Sequence, residues 1–249
     1  MRALAWQFDV YLSFTSLEEL VATPSESRRL DLLQRFKRLL RPGKCIVPPA
    51  EIFRLMAAAH SAASGQFDWM NVDVATEGFL DVDDLLSAEQ GAENKDREAK
   101  FKECVALLRR GLGHLPITER PSCYRDVAAI MSEDQDSVWK LAQGLYRRAS
   151  GTGIDEPLAK AFLQACPPCR ALCIGQMLGV YSSSLRGSKD GRPAGLADLL
   201  MSVYLPYCDQ FVTNDPGQRN ALTEVANCTG ISCRVLLFDE FTQGVSRSA

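Results

Sequence analysis

The 249-residue chain is predicted to be an α/β protein, a small parallel sheet flanked by helices with a helix-rich middle. Short apolar or β-prone runs occur towards both ends of the chain, each bounded by turn residues. Helical periodicity fills the intervals between them. No two of these runs are joined by a tight hairpin turn, and strands joined through helices pair in parallel. Hydrophobic residues make up 46% of the chain, enough for a sizeable core. The organisation expected is one domain over residues 1–249, with sheet-forming parts at about 1–60 and 193–249 and a helical middle at about 61–192.

The first strand is expected at 6–12, where Trp6-Gln-Phe-Asp-Val-Tyr-Leu12 alternates and is rich in aromatics. A helix then opens, Ser16 and Glu19 having capping-box spacing. Residues 25–40 form a second helix with Leu30, Leu33, Phe36 and Leu40 on one face, ended by Pro42-Gly43. Cys45-Ile-Val47 is a very short strand, and Pro48-Pro49 leads into a helix through His60. Helices are expected at 96–112, 137–149, 156–165 and 170–181, separated by breakers such as Ser150-Gly-Thr-Gly153. A polar loop at 187–193 precedes a helix at 196–204, a strand at 211–213, a helix at 218–227 and a buried strand at 233–238. Residues 66–84, acidic and aromatic, have no legible period.

Composition narrows the function. The net charge of −3 and pI near 5.5 argue against nonspecific coating of nucleic acid, so any such contact is local. Arg28, Arg29, Arg35, Lys37, Arg38, Arg41 and Lys44 form one local basic cluster, whose plain reading is a solvated helix face. No apolar run reaches the ~18 residues that span a bilayer, and no long apolar stretch follows the N-terminus; a cytoplasmic protein with no membrane contact is expected. Nine cysteines, an odd number spread widely, favour reduced thiols over a disulfide framework.

The richest segment runs from Asp198 to Asp215: a helix, a corner at Pro206, a short strand, and an acid at the strand's end. Strand ends of this kind are where open α/β sheets place their sites. Asp198 and Asp215 would converge at one such end and begin a metal-ion pocket. Each acid also has a plain explanation: Asp215 before Pro216 suits a helix N-cap, and Asp198 near a helix start suits the macrodipole. Asp209 reads as a solvated corner residue, and Asp239 and Glu240 follow the last strand near the pocket's rim.

The order of elements, with Thr213-Asn214-Asp215 closing a late strand and Asp198 in the helix before it, resembles PIN-like domains, a family of metal-dependent nucleases. The resemblance is clearest from Asp198 to Asp215 and weaker over the first 60 residues. It implies a compact fold of sheet and helices, a cluster of three or four carboxylates, Mg²⁺ or Mn²⁺, and cleavage of RNA. RNA is thus the implied partner; dimers are frequent among the proteins it resembles, and an antitoxin-like partner is left open. Hard divalent ions suit phosphodiester hydrolysis because they activate water and neutralise the leaving oxygen, and carboxylates hold them. The family's first acid falls at Ser13 and its second, in the helix after Cys45-Ile-Val47, at Arg54. Asp9 lies four residues before Ser13, roughly 13 Å back along an extended strand, and does not replace it. Glu51, about one helical turn before Arg54, would complete the metal shell with Asp198 and Asp215. Thr213 or Ser13 would orient a bound water, and Arg54 or the basic cluster would hold phosphate. The alternative is a catalytically inactive PIN-like module that binds RNA or protein; Ser13 and Arg54 favour it.

Cys166-Pro-Pro-Cys169, with Cys173, carries a separate hypothesis of a zinc knuckle or a redox pair. There is no second Cys-x-x-Cys, and His60 and His114 are isolated in the sequence, so buried thiols are the default.

Overall fold

A computed structural model describes residues 8–13, 15–16, 20, 23–39, 45–63, 67–75, 123–133, 135–182 and 194–248. Phe36, whose side chain is not among those described, Leu40, the helix expected at 96–112 and the loop at 187–193 lie outside that description. The fold is mixed α/β, and the described strands form two parallel pairs. The single sheet expected from sequence is therefore two small ones. The chain divides into two compact units, Met1–Glu51 with Asp73–Ala106, and Ile52–Val72 with Leu107–Ala249.

In the first unit, β1 (Leu12–Ser13) pairs in parallel with β2 (Cys45–Ile46), Leu12 opposite Cys45 and Ser13 opposite Ile46. The connection between them contains α1 (Glu26–Leu39), as parallel pairing requires. Leu33 of α1 is buried, but Leu30, expected on the same apolar face, is 41% exposed. Ile46 also bridges Ala75 in antiparallel sense, and Val47 N–H donates to Val74 O at 3.0 Å. That pairing gives part of the unplaced 66–84 segment a role as edge to β2. Residues 15–16 are already helical, and Ser13 Oγ accepts the Ser16 N–H at 3.1 Å. The capping side chain is thus that of Ser13, three residues earlier than expected; Glu19 lies outside the described residues.

The helix α2 (Pro49–Ala62) runs through the division between the units. The second unit then holds a single 3₁₀ turn (Trp69–Asn71) and the helices α3 (Tyr124–Glu133), α4 (Gln135–Ser150), α5 (Glu156–Ala165) and α6 (Pro167–Ser182). These are followed by α7 (Leu196–Leu200), which tightens into a 3₁₀ segment (Met201–Tyr207), and then by β3 (Gln210–Thr213), α8 (Pro216–Thr229), β4 (Arg234–Leu237) and α9 (Phe238–Ser248). Pro206 lies inside the 3₁₀ segment, where a full α-helix would need the N–H that proline lacks.

The hub of this unit is α6, which packs on α3, α4, α5, α7, α8 and the 3₁₀ segment. Most of its residues are buried, among them Cys169, Ala171, Leu172, Cys173, Gly175, Met177 and Leu178, while Arg170 and Gln176 are half-buried. A helix apolar on most of its circumference belongs in a core rather than on a surface. One contact is very close. A Cβ built on Gly175 would lie 2.7 Å from Leu199 O and closer still to Ser202 Oγ. Ser202, fully buried, is satisfied by donating to Ala171 O at 2.9 Å. The strands β3 and β4 pair in parallel from Gln210–Arg234 to Thr213–Leu237, with α8 as their crossover. Gly230, at φ 71°, closes α8 in the left-handed conformation that glycine adopts without steric cost. Among the described residues, no helix is long and apolar enough to cross a membrane.

Candidate functional site at the C-terminal end of β3

Local sequence builds this corner in three steps. Gly195 starts α7, and Asp198, in the first turn, accepts the Gly195 N–H on Oδ2 at 2.8 Å. Glycine has no side chain to return the bond, so this is half of a capping box. Asp215 then caps α8, its Oδ1 accepting the Gln218 N–H at 3.0 Å while Pro216 occupies the first helical position. Finally, Thr213 Oγ1, at the last residue of β3, accepts the Asp215 N–H at 3.1 Å.

One side chain joins these pieces. Gln218 accepts from Thr213 Oγ1 at 2.5 Å and donates through Nε2 to Asp198 O at 3.1 Å, while its own N–H meets Asp215. The structure therefore brings Asp198, Thr213 and Asp215 into one hydrogen-bonded frame at the end of β3. Gln218 was not singled out in the sequence, where it is an ordinary polar residue of a helix's first turn. Asp215 is exposed and Asp198 half-buried, so the carboxylates have access to solvent. On the far side of the same helix start, Arg219 Nη2 donates to Glu240 Oε1 at 3.3 Å, and Glu240 Oε2 accepts the Leu237 N–H at 2.8 Å. Glu240 is thus tied to the end of β4.

Ser13 and Glu51 belong to the first unit, and Asp198, Thr213, Asp215 and Arg54 to the second. Ser13 is buried at the end of β1 and spends its hydroxyl on Ser16. Glu51 is half-buried in the first turn of α2, and Arg54 on the same helix is exposed. Among the described residues, no three His, Cys, Asp or Glu side chains group so as to hold a metal ion. The donor set that the β3 corner offers is two carboxylates and a hydroxyl. That suits a Mg²⁺-like ion that keeps most of its waters and takes one or two carboxylates, but not a caged ion.

The basic cluster is partly paired within itself. Arg35 Nε lies 3.0 Å from Asp31, one helical turn away, and Arg29 Nη1 donates to Thr23 O at 3.4 Å. Lys37 and Arg38 side chains, Arg41 and Lys44 lie outside the described residues.

Cys166, Cys169 and Cys173 are buried with no exposure at the start of α6. Burial, then the neighbouring Cys166 sulfur, pushes the Cys169 and Cys173 thiols well up from their ordinary value. Protonated, enclosed thiols are core residues and poor nucleophiles.

His60 is not isolated in space. Its Nδ1 lies 3.1 Å from Tyr146 Oη, and the rings of Phe67, Tyr146 and Phe162 meet it edge-on with centroids at 5.3, 5.9 and 5.0 Å. Burial lowers its pKa below 6.5, keeping the imidazole neutral at pH 7. His60 and Tyr146 line a cleft of about 410 Å³ with Ser61, Thr152 and Ile154. Tyr146 and Phe162 lie far from His60 along the chain, so their meeting leaves no local sequence signal.

Comparison with protein-family models, with curated proteins and with solved structures finds no match for the chain.

Proposed function

We propose that the chain is a PIN-like, divalent-metal-dependent ribonuclease whose reduced acidic site lies at the C-terminal end of β3. The observation that carries this reading is the Gln218 frame, which holds Asp198, Thr213 and Asp215 together at a strand end. Asp198 and Asp215 would hold Mg²⁺ or Mn²⁺ in a largely hydrated shell. The ion, when bound, supplies an activated water and neutralises charge on the phosphodiester. Thr213, already the acceptor from Asp215 N–H, would orient a water at the strand end. Arg54 would hold phosphate, for which a planar guanidinium is suited.

A second reading is favoured by a specific observation. Both acids serve as helix caps, Ser13 caps a helix where the family carries an acid, and no group of three ligands forms among the described residues. A PIN-like module that binds RNA or protein without cutting would look the same.

The experiment is Mn²⁺ titration by calorimetry of wild type and Asp215→Asn, followed by cleavage of mixed-sequence RNA. Asparagine keeps the capping oxygen and removes the charge, so the fold is preserved while the ion loses a ligand. The expected result is at least about tenfold weaker Mn²⁺ binding, or about 1.4 kcal/mol, together with cleavage that Asp198→Asn abolishes. Unchanged Mn²⁺ affinity removes Asp215 from the site. Retained Mn²⁺ binding with cleavage that survives in Asp198→Asn identifies a contaminant, and no cleavage at all leaves the silent module.

A further inference from the structure

We infer that Cys208 and Cys233 are a paired-thiol oxidation site, which a hydroperoxide converts to an intramolecular disulfide across the entry ends of β3 and β4. The topology puts them together. Cys208 lies two residues before β3 and Cys233 immediately before β4; because the strands are parallel, both sulfurs fall at the same end of the pair. The Arg234 N–H donates to Asp209 O at 2.9 Å, locking the two chain entries side by side. The sulfurs are 3.7 Å apart. A disulfide needs about 2.05 Å, so the sulfurs must approach further for the bond to close.

The two thiols are unequal. Cys208 Sγ donates towards Tyr204 O at 3.6 Å and Leu205 O at 3.9 Å, which holds it as the thiol. Contact with Cys233, then burial, raises its pKa further. Either sulfur can be the donor in their mutual contact. The Cys233 pKa is lowered, first by contact with Cys208 and also by the Phe211 main chain, against the opposing effect of burial. With its hydrogen turned to two carbonyls, Cys208 is the resolving thiol and Cys233 the attacking sulfur.

The chemistry balances in two steps. The Cys233 thiolate attacks one oxygen of the hydroperoxide, the O–O bond breaks, and hydroxide or alkoxide leaves, giving Cys233 sulfenic acid. The Cys208 sulfur then attacks the Cys233 sulfur; the S–O bond breaks, the Cys208 proton leaves with the hydroxyl as water, and the S–S bond forms. One equivalent of oxidant removes two electrons from the thiol pair and is itself reduced. A cellular thiol reverses the bond by exchange. Cys208 is half-buried and Cys233, though buried, keeps 8% of its surface, whereas Cys166, Cys169 and Cys173 have no exposure. The site lies at the opposite end of β3 from Thr213 and Asp215 and is independent of the nuclease reading.

The test treats the full chain with one equivalent of hydrogen peroxide, alkylates remaining thiols and maps cysteines by peptide mass spectrometry. The expected product is a cross-linked peptide pair carrying Cys208 and Cys233, lighter by the two thiol hydrogens and reopened by dithiothreitol. In Cys208→Ser, a sulfenic-acid trap should label Cys233 in place of the cross-link. The inference is overturned if Cys228, the exposed thiol of α8, is oxidised first while Cys208 and Cys233 stay fully alkylated. The wild-type map alone decides this, whatever the stability of the variant.

Discussion

The close approach of α6 to Leu199 and Ser202 makes Gly175→Ala an informative single change to stability. The added methyl would meet Leu199 O at 2.7 Å and Ser202 Oγ nearer still. Backbone oxygen on one side and a fully buried hydroxyl on the other leave little room to yield. Overpacking of this kind costs about 1–3 kcal/mol. If Ser202 is driven off Ala171 O, its buried hydroxyl loses its partner at a further cost of about 1–3 kcal/mol. Alanine's better helix propensity offsets about 1 kcal/mol of this. The net expectation is destabilisation by about 1–5 kcal/mol, which for a chain of this length lowers Tm by about 2–20 °C. Urea unfolding followed by circular dichroism measures it. Gly144→Ala is the control, because nothing lies within 4 Å of a Cβ there and α4 exposes that position. That variant should gain about 0.5–1 kcal/mol. Adding Ser202→Ala to Gly175→Ala should recover part of the loss and no more, since Leu199 O remains. A Gly175→Ala protein within about 0.5 kcal/mol of wild type, the range of a neutral surface change, would refute the packing argument.

Two other predictions follow from buried polar groups. Tyr124 Oη, on a buried ring, accepts the Ala194 N–H at 2.6 Å, so Tyr124→Phe should cost about 1–3 kcal/mol in urea unfolding by leaving that N–H unpaired; a cost under about 0.5 kcal/mol would mean water replaces the phenol. His60 has a folded pKa below 6.5, so the unfolded chain binds its proton first as pH falls. Its contribution to stability is complete above pH 6.5 and is lost as pH falls through the folded value. An imidazole titration followed by NMR should place His60 below 6.5, and His60→Gln should flatten that part of the stability profile.

How far the sequence could be read depended on how local each signal was. The segment from Asp198 to Leu237 was legible nearly residue by residue, because Gly195, Pro206, Asn214-Asp215-Pro216 and Gly230 punctuate it. Helices at Tyr124–Glu133 and Phe238–Ser248 were missed. The second begins directly after β4 with no turn residue between Leu237 and Phe238, so the apolar run read as a longer strand. Strand partners were not legible at all: periodicity marks which face of a strand is apolar but not which strand lies beside it, and four expected strands became two pairs. At the candidate site, the helix caps explain why Asp198 and Asp215 stand where they do, but Gln218 acquires its role only when folding carries Asp198 O to it. Cys208 and Cys233 likewise become neighbours only through parallel pairing.

The orientation of the Gln218 amide has a consequence for how the β3 corner behaves. Its nitrogen faces a carbonyl, which can only accept, so the amide holds one orientation, with its oxygen receiving the Thr213 hydroxyl. Asp198 and Asp215 are consequently spaced by main chain and one neutral crosspiece, not by long mobile side chains.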